Sequence, residues 1–340
     1  MIRTRSCPIC KYDAATLVYM NKMAPVNLLD MSYRLSACDN CGFLFANELP
    51  SNLQYLNYYN TLSKYDSQVN VSNVDRCRTE KAVSFLTGTI PKDAAILDIG
   101  CGFGVMLSAL RDAGYNNLSG IDPAPLSRRQ ASEQFNFHNI SQGTLENAGQ
   151  MVDLSQINLI SLMCVLEHLP DLRQNLEKLT SQLQYGTKLM VEVPAVDLFD
   201  GTCGEPAGEL SIEHIQYFTS HSMTNLMKSL GLNVIATELI DIPSLDFNGL
   251  FVLAELTNEI QKITPDRQTK MREYLDNSAP RWRAALKSIP DERFVLYGTG
   301  SHSARLLPQL TDEQKKNLVT VVDGNVNLHG KKFGDWVVEP

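Results

Sequence analysis

The chain has 340 residues, 44% hydrophobic and 20% charged, with 8 cysteines and a net charge of −8. At about 150 residues per domain this is roughly two domains of chain, enough to bury a sizeable core. The mix excludes a disordered tail, a collagen-like repeat and a disulfide miniprotein. An acidic chain without Lys/Arg clusters interleaved with aromatics argues against a nucleic-acid partner.

The N-terminus, MIRTRSCPIC, lacks the apolar core of a secretory signal. The apolar stretches near 157–166 and 250–256 are too short or too interrupted to cross a bilayer. The expectation is a soluble, cytoplasmic protein with no membrane partner, its cysteines thiols or metal ligands rather than disulfides.

Residues 1–50 carry Cys7-Pro-Ile-Cys10 and Cys38-Asp-Asn-Cys41-Gly42. Two residues between thiols let both sulfurs face one ion, and a second pair completes a tetrahedral shell. The spacer, 11–37, exceeds the usual length of about 15–20 residues, an excess that a small β-hairpin absorbs. Four thiolates leave no open position for water, so a zinc held by Cys7, Cys10, Cys38 and Cys41 would be structural. A redox dithiol is the alternative, better suited to a single pair before a helix. Cys77, Cys101, Cys164 and Cys203 lack such spacing and are expected to be packing residues.

Residues 51–92 form a Tyr-rich linker ending in a predicted helix, 75–87. Residues 93–257 alternate short apolar runs with helical patterns, the pattern of βαβ units around a mostly parallel sheet. Strands are predicted at 95–99, 118–121, 159–162, 188–193, 233–239 and 250–256. Residues 258–290 read as a connector of one or two polar amphipathic helices broken near Pro265 and Pro280. Residues 291–340 restart a βαβ pattern around Gly298-Thr-Gly300, with two or three strands.

Within the α/β segment, Asp98-Ile-Gly100-Cys101-Gly102-Phe103-Gly104 follows a buried run and opens a helical pattern. Glycines let the backbone pass close to a ligand, and a helix start offers unpaired N–H groups. The G-x-G-x-G spacing differs from the dinucleotide G-x-G-x-x-G. Asp98 suits a ligand without a pyrophosphate, whose ammonium group it can help place. Asp122 ends the next strand, where an acid can take ribose hydroxyls. Gly143-Thr144-Leu145 follows a short third strand, where an adenine edge would lie. The fourth strand runs into Leu166-Glu167-His168-Leu169-Pro170.

This ordered set resembles the class I S-adenosylmethionine-dependent methyltransferases over about residues 93–257. The resemblance implies a Rossmann-like α/β sheet and cofactor contacts at Gly100, Gly102, Asp122, Thr144, Leu145 and Met163, beside Asp98. An NAD-binding Rossmann domain and an inert α/β fold are the competing readings. His168 reads as structural support beneath the cofactor. Glu213 and His214 follow a glycine-rich stretch, 201–208, that could form a lid. Histidine titrates near working pH and a neighbouring carboxylate can fix its tautomer; a helix cap or a surface pair is the alternative.

Zinc knuckles, methyltransferase core, Glu-His segment and C-terminal GxG unit, in that order, are further similar to the nucleotide-sugar C-methyltransferases. That resemblance implies that His214, with Glu213, removes a proton beside a sugar ketone. It also implies a tyrosine of the linker at the site, Tyr65 among Tyr55, Tyr58, Tyr59 and Tyr65. The chain departs from that family at Ser211, where a tyrosine is common. It also departs in the loop DIGCGFG, read in place of EIGCNDG, and at the turn Gly298–Ser303, which lacks the family's lysine. The C-terminal unit would lie near the sugar nucleotide, or serve packing or oligomerisation; it is expected to be short or truncated. The expected acceptor is a small molecule, a nucleotide-linked sugar. The alternatives are O- or N-methylation of another small molecule, methylation of an RNA base, and a non-catalytic scaffold that binds S-adenosylmethionine.

Overall fold

The computed structural model describes residues 3–25, 32–51, 71–202, 204–210, 213–245 and 247–340. Among the described residues of the first fifty lie five strands: β1 (Arg3–Thr4), β2 (Ala15–Asn21), β3 (Tyr33–Cys38), β4 (Leu44–Ala46) and β5 (Glu48–Leu49). β2 and β3 are the antiparallel hairpin that spans the long spacer between the cysteine pairs. The two cysteine turns repeat one hydrogen-bond pattern. Cys7 N donates to Tyr12 O and Lys11 N to Cys7 O; Cys38 N donates to Phe43 O and Gly42 N to Cys38 O. Both turns close on a left-handed residue, Lys11 at φ 62° and Gly42 at φ 78°.

The next strands are β6 (Ile96–Ile99), β7 (Leu118–Asp122), β8 (Ile140–Gln142), β9 (Leu159–Met163), β10 (Lys188–Val193), β11 (Gln216–Tyr217), β12 (Leu232–Ile242) and β13 (Phe247–Leu256). All but β11 form one sheet in the order β12-β13-β10-β9-β6-β7-β8. β6 to β10 pair in parallel, while β13 runs antiparallel to both its neighbours. β6 and β9 are wholly buried, as expected of parallel strands covered on both faces, and hence their continuous apolar runs. The winding reverses at β6, and such a reversal leaves a crevice beyond the strands' carboxyl ends. This is the Rossmann-like α/β architecture expected from the sequence.

β11 departs from that sheet. It pairs with β4 and completes a four-stranded sheet, β11-β4-β3-β2, with the cysteine-bearing hairpin. Cys7, Ile9, Phe43 and Phe45 share one apolar cluster with Leu162, Leu166 and Phe218, so the N-terminal unit and the large sheet have a common core.

The connector carries one of the one or two helices expected, but without the break expected at Pro280. One helix, Thr269–Lys287, runs through Pro280. Pro280 is exposed, so water can serve the carbonyl that loses its helical donor there. The last unit has four strands rather than two or three: β14 (Phe294–Tyr297), β15 (Leu318–Val322), β16 (Lys332–Phe333) and β17 (Trp336–Glu339), ordered β14-β15-β17-β16. Among the described residues no helix is long and apolar enough to cross a membrane.

Candidate functional site

At the end of β6 the chain enters three left-handed glycines, Gly100 at φ 80°, Gly102 at φ 51° and Gly104 at φ 93°. At Gly100 a Cβ would also stand 2.5 Å from Val165 Cγ2, so both conformation and space demand glycine. Helix Val105–Asp112 starts from Gly104. Asp122, at the end of β7, holds the loop. Its Oδ2 accepts from Gly102 N at 2.8 Å, and its Oδ1 accepts from Ala124 N at 2.8 Å and Ser127 Oγ at 2.7 Å. A carboxylate offers about four lone-pair sites, so anchoring the loop and accepting from a ribose are compatible tasks.

Asp98 is 1% exposed and accepts from Ser161 Oγ. Burial pushes its pKa up to about 7, and the charge of Asp122 adds to the rise. A buried carboxyl with that bias is suited to meeting a cationic group. Met163 closes β9 and is buried. Beyond β8, Gly143 N donates to Asp122 O, and Thr144 N donates to Asn147 Oδ1, folding the turn that carries buried Leu145. The topology thus gathers Asp98, Gly100, Gly102, Asp122 and Met163 on adjacent strand ends, with Thr144 and Leu145 one strand further out.

After β9 the chain turns at Cys164, whose φ of 53° is uncommon for a residue other than glycine. Cys164 is not the packing residue the spacing suggested. Its Sγ lies 3.0 Å from Glu192 Oε2 and 2.9 Å from Arg78 Nη1. Arg78 Nη1 is itself 3.8 Å from Glu192 Oε2. Glu167, like Glu192, is 1% exposed, and neither of its carboxylate oxygens has a hydrogen-bond partner. Burial, then the charge of Glu192, pushes the Glu167 pKa up to about 8.

His168 Nε2 lies 3.8 Å from Glu167 Oε1, while His168 Nδ1 is 3.2 Å from the Glu213 carbonyl oxygen and 4.0 Å from its Oε2. The rings of His168 and His214 meet edge to face, with centroids 5.0 Å apart. Glu213 and His214 are therefore brought against the turn that follows β9. His168, expected beneath the cofactor as support, is part of this cluster.

A third set of residues holds the two segments together. Arg5 Nε donates to Ala46 O at 2.7 Å, Nη1 to Pro170 O at 2.9 Å and Nη2 to Ile215 O at 3.0 Å. Ile215 N donates to Glu167 O, and Tyr217 OH donates to His214 O at 2.9 Å while also bonding Tyr33 OH. The glycine-rich stretch expected as a lid is tied from the C-terminal side. Arg281 donates to the carbonyls of Gly201 and Gly204, and buried Arg305 to Leu210 O and Glu205. Sequence reasoning passed over Arg5, Arg78 and Glu192, which no local motif marks. Tyr55, Tyr58, Tyr59 and Tyr65, with Cys203 and Ser211, lie outside the described residues.

The sulfurs of Cys7, Cys10, Cys38 and Cys41 all lie within 4.8 Å of one another, with Cys7–Cys41 at 3.6 Å and Cys10–Cys38 at 3.4 Å. A tetrahedral ion with sulfur ligands at about 2.3 Å has sulfur–sulfur edges of about 3.8 Å. Hydrogen bonds from Cys41 and Cys7 favour the Cys38 thiolate, to about 2, whereas hydrogen bonding to Cys38 pushes Cys41 to about 12 and Cys7 far up. Four thiols this close cannot all ionise without a cation among them. Donor set and geometry are compatible with a zinc knuckle.

Residues 71–237 match the model of a family described as a methyltransferase domain. A tRNA U34 carboxymethyltransferase from Colwellia psychrerythraea is 30% identical over 155 residues, 44% of this chain and 48% of that protein. The chain thus spans about half the length of that curated relative. Among solved structures, magnesium protoporphyrin IX methyltransferase from Synechocystis PCC 6803 is 15% identical, with a TM-score of 0.45 over 61% of this chain and 100% of the other. A Burkholderia thailandensis 1,6-didemethyltoxoflavin-N1-methyltransferase is 14% identical, with a TM-score of 0.48 over 62% of this chain and 92% of the other.

Proposed function

We infer that this chain, through the methyltransferase domain at residues 71–237, transfers the methyl group of S-adenosylmethionine to a small-molecule acceptor. The observation that carries the reading is the crest, where left-handed Gly100 and Gly102 are tied to Asp122 beside buried Asp98. The amino-acid end of the cofactor meets Asp98 and the glycine turn, its ribose meets Asp122, and Thr144, Leu145 and Met163 flank the rest.

The acceptor enters at the Glu167–His168–Glu213–His214 cluster, and its class is a nucleotide-linked ketosugar. Tyr65 is the linker residue assigned to the same site. His214 takes the proton from the carbon beside the ketone. The carbanion equivalent then attacks the sulfonium methyl in line, forming a carbon–carbon bond as the sulfur–methyl bond breaks and its electrons return to sulfur. Charge is lost at sulfur, so alignment is the main demand; the developing enolate needs a donor. A zinc held by Cys7, Cys10, Cys38 and Cys41 stiffens residues 1–50, and through β11 it steadies the segment bearing His214. Residues 51–92 link this unit to the methyl-transfer core at 93–257. Residues 258–290 connect that core to the Rossmann-like unit at 291–340, which holds the lid. A reducing cytoplasm suits the four thiols.

The curated relative's tRNA substrate offers a second reading, an RNA base as acceptor. The net charge of −8 weighs against it.

With S-adenosylhomocysteine bound, solvent deuterium should enter the carbon beside the ketone of a nucleotide ketosugar. It should do so with the wild type and not with His214→Ala. Equal exchange in the two proteins would remove His214 as the base. Thermal stabilisation by tRNA and by no nucleotide sugar would replace the acceptor.

A further inference from the structure

Glu167 is a buried carboxylate whose two oxygens have no hydrogen-bond partner among the described residues, and it faces two imidazoles. We propose that Glu167, His168 and His214 bind one divalent transition-metal cation, through one carboxylate oxygen and two ring nitrogens. The remaining coordination positions are open to oxygen atoms of the acceptor. The acceptor's place rests on the function proposed above; the cation's does not.

Four observations converge. One ligand atom from each of the three residues lies within 4.8 Å of the other two. Metal–ligand bonds of about 2.0–2.2 Å need donors roughly 3–3.6 Å apart, a contraction that small side-chain rotations supply. Next, Glu167 is 1% exposed and both its oxygens lack partners, whereas buried polar groups are nearly always paired. Charge points the same way. Buried Glu192 adds a second carboxylate, and Arg78 is already shared between Glu192 at 3.8 Å and Asp75 at 3.1 Å.

The fourth observation is the support around the histidine. His168 Nδ1 faces the Glu213 carbonyl at 3.2 Å. A proton on Nδ1 donated to that carbonyl leaves the Nε2 lone pair pointing toward Glu167 Oε1, 3.8 Å away. A backbone carbonyl on the far ring nitrogen is also how metal-bound imidazoles are commonly oriented.

The donor set of two nitrogens and one oxygen favours zinc, manganese, cobalt or nickel over magnesium or calcium. It is separate from the four cysteines in both residues and chemistry. Cation and proton would compete for His214, so the base role proposed above belongs to the cation-free protein; a bound cation would instead acidify the acceptor by polarising one of its oxygens.

The test uses the full chain with its cysteine site filled with zinc, titrated with Mn2+ and followed by electron paramagnetic resonance. One equivalent of Mn2+ should bind, and pulsed spectra should show two histidine nitrogens. His214→Ala and Glu167→Gln should each weaken binding roughly tenfold or more, with His168→Ala as the substitute should Glu167→Gln fail to fold. No Mn2+ uptake, or uptake without nitrogen coupling and unchanged in His214→Ala, would overturn the site. Calorimetry with S-adenosylhomocysteine reports on the cofactor crest, none of whose residues is a proposed ligand of the cation. Failure of the cation site and failure of the methyl-transfer reading are thereby told apart.

Discussion

The cofactor crest and the acceptor cluster stand on the carboxyl ends of the same sheet, yet they are assembled differently. Asp98, the glycine loop and Asp122 belong to one strand–helix–strand unit, where Asp122 bonds the loop at Gly102, with further bonds only to the neighbouring strand end at Ser161 and to the turns that follow β7 and β8. The cluster joins the turn after β9 to a segment far along the chain, and the tie between them, Arg5, comes from the N-terminal unit. A site made within one unit persists as long as that unit folds. A site made between distant segments can be dismantled while the first still binds its ligand.

The sharpest break is expected on the crest. In Asp122→Ala, Gly102 N, Ala124 N and Ser127 Oγ lose their shared acceptor. An orphaned buried donor costs about 1–3 kcal/mol, and where cofactor binding must restore the loop that cost appears as a roughly five- to 150-fold weaker Kd. Calorimetry with S-adenosylhomocysteine should register a fall of that size or more, with a lower Tm. Wild-type affinity in Asp122→Ala would mean that the glycine loop holds its shape unaided, and the contrast between the two regions would lose its basis.

A smaller and more selective effect is expected at Arg5. Arg5→Lys keeps the charge but loses the planar fork that serves Ala46, Pro170 and Ile215 carbonyls together. Losing one or two charge-assisted bonds, at about 1.5–3 kcal/mol each, should lower kcat/KM for the acceptor by roughly tenfold or more. S-Adenosylhomocysteine affinity should stay at the wild-type value. Removing zinc with a chelator should act in the same direction, since the tie starts two residues before Cys7. Parallel losses in both measurements would show that the two regions are one cooperative unit.

The same division governs what could be read from the sequence. Glycine spacing and strand-end acids are legible because left-handed backbone and helix-start geometry are dictated locally. Paired cysteines are legible because two residues between thiols is the spacing that a tetrahedral ion would require. Glu213 and His214 stood out by chemistry, but their meeting with Glu167 and His168 depends on β11 joining the cysteine-bearing sheet, which a two-residue strand does not announce. Arg78, Glu192 and Cys164 come from three separate elements, and only tertiary packing brings them into contact. Pro280 misled for the opposite reason. A local rule against helical proline yields where the position is solvent-exposed.

The finest distinction between the regions is a pH dependence of cofactor affinity that the crest alone should carry. Asp98 is raised from 3.8 to about 7 in the fold, chiefly by burial. Between those values the folded chain keeps a proton that the unfolded chain releases, so this residue's contribution to stability falls as pH rises from about 4 to 7 and is flat above. A bound ammonium group favours the carboxylate, so cofactor binding below about pH 7 must expel that proton. Affinity should therefore climb with pH, roughly fourfold between about pH 6.5 and 8, and then level off. Calorimetry of S-adenosylhomocysteine across that range should show the rise in the wild type, and in Arg5→Lys as well. In Asp98→Asn it should be absent. A slope that survives in Asp98→Asn would move the titrating group to another residue and leave the ammonium without its assigned partner.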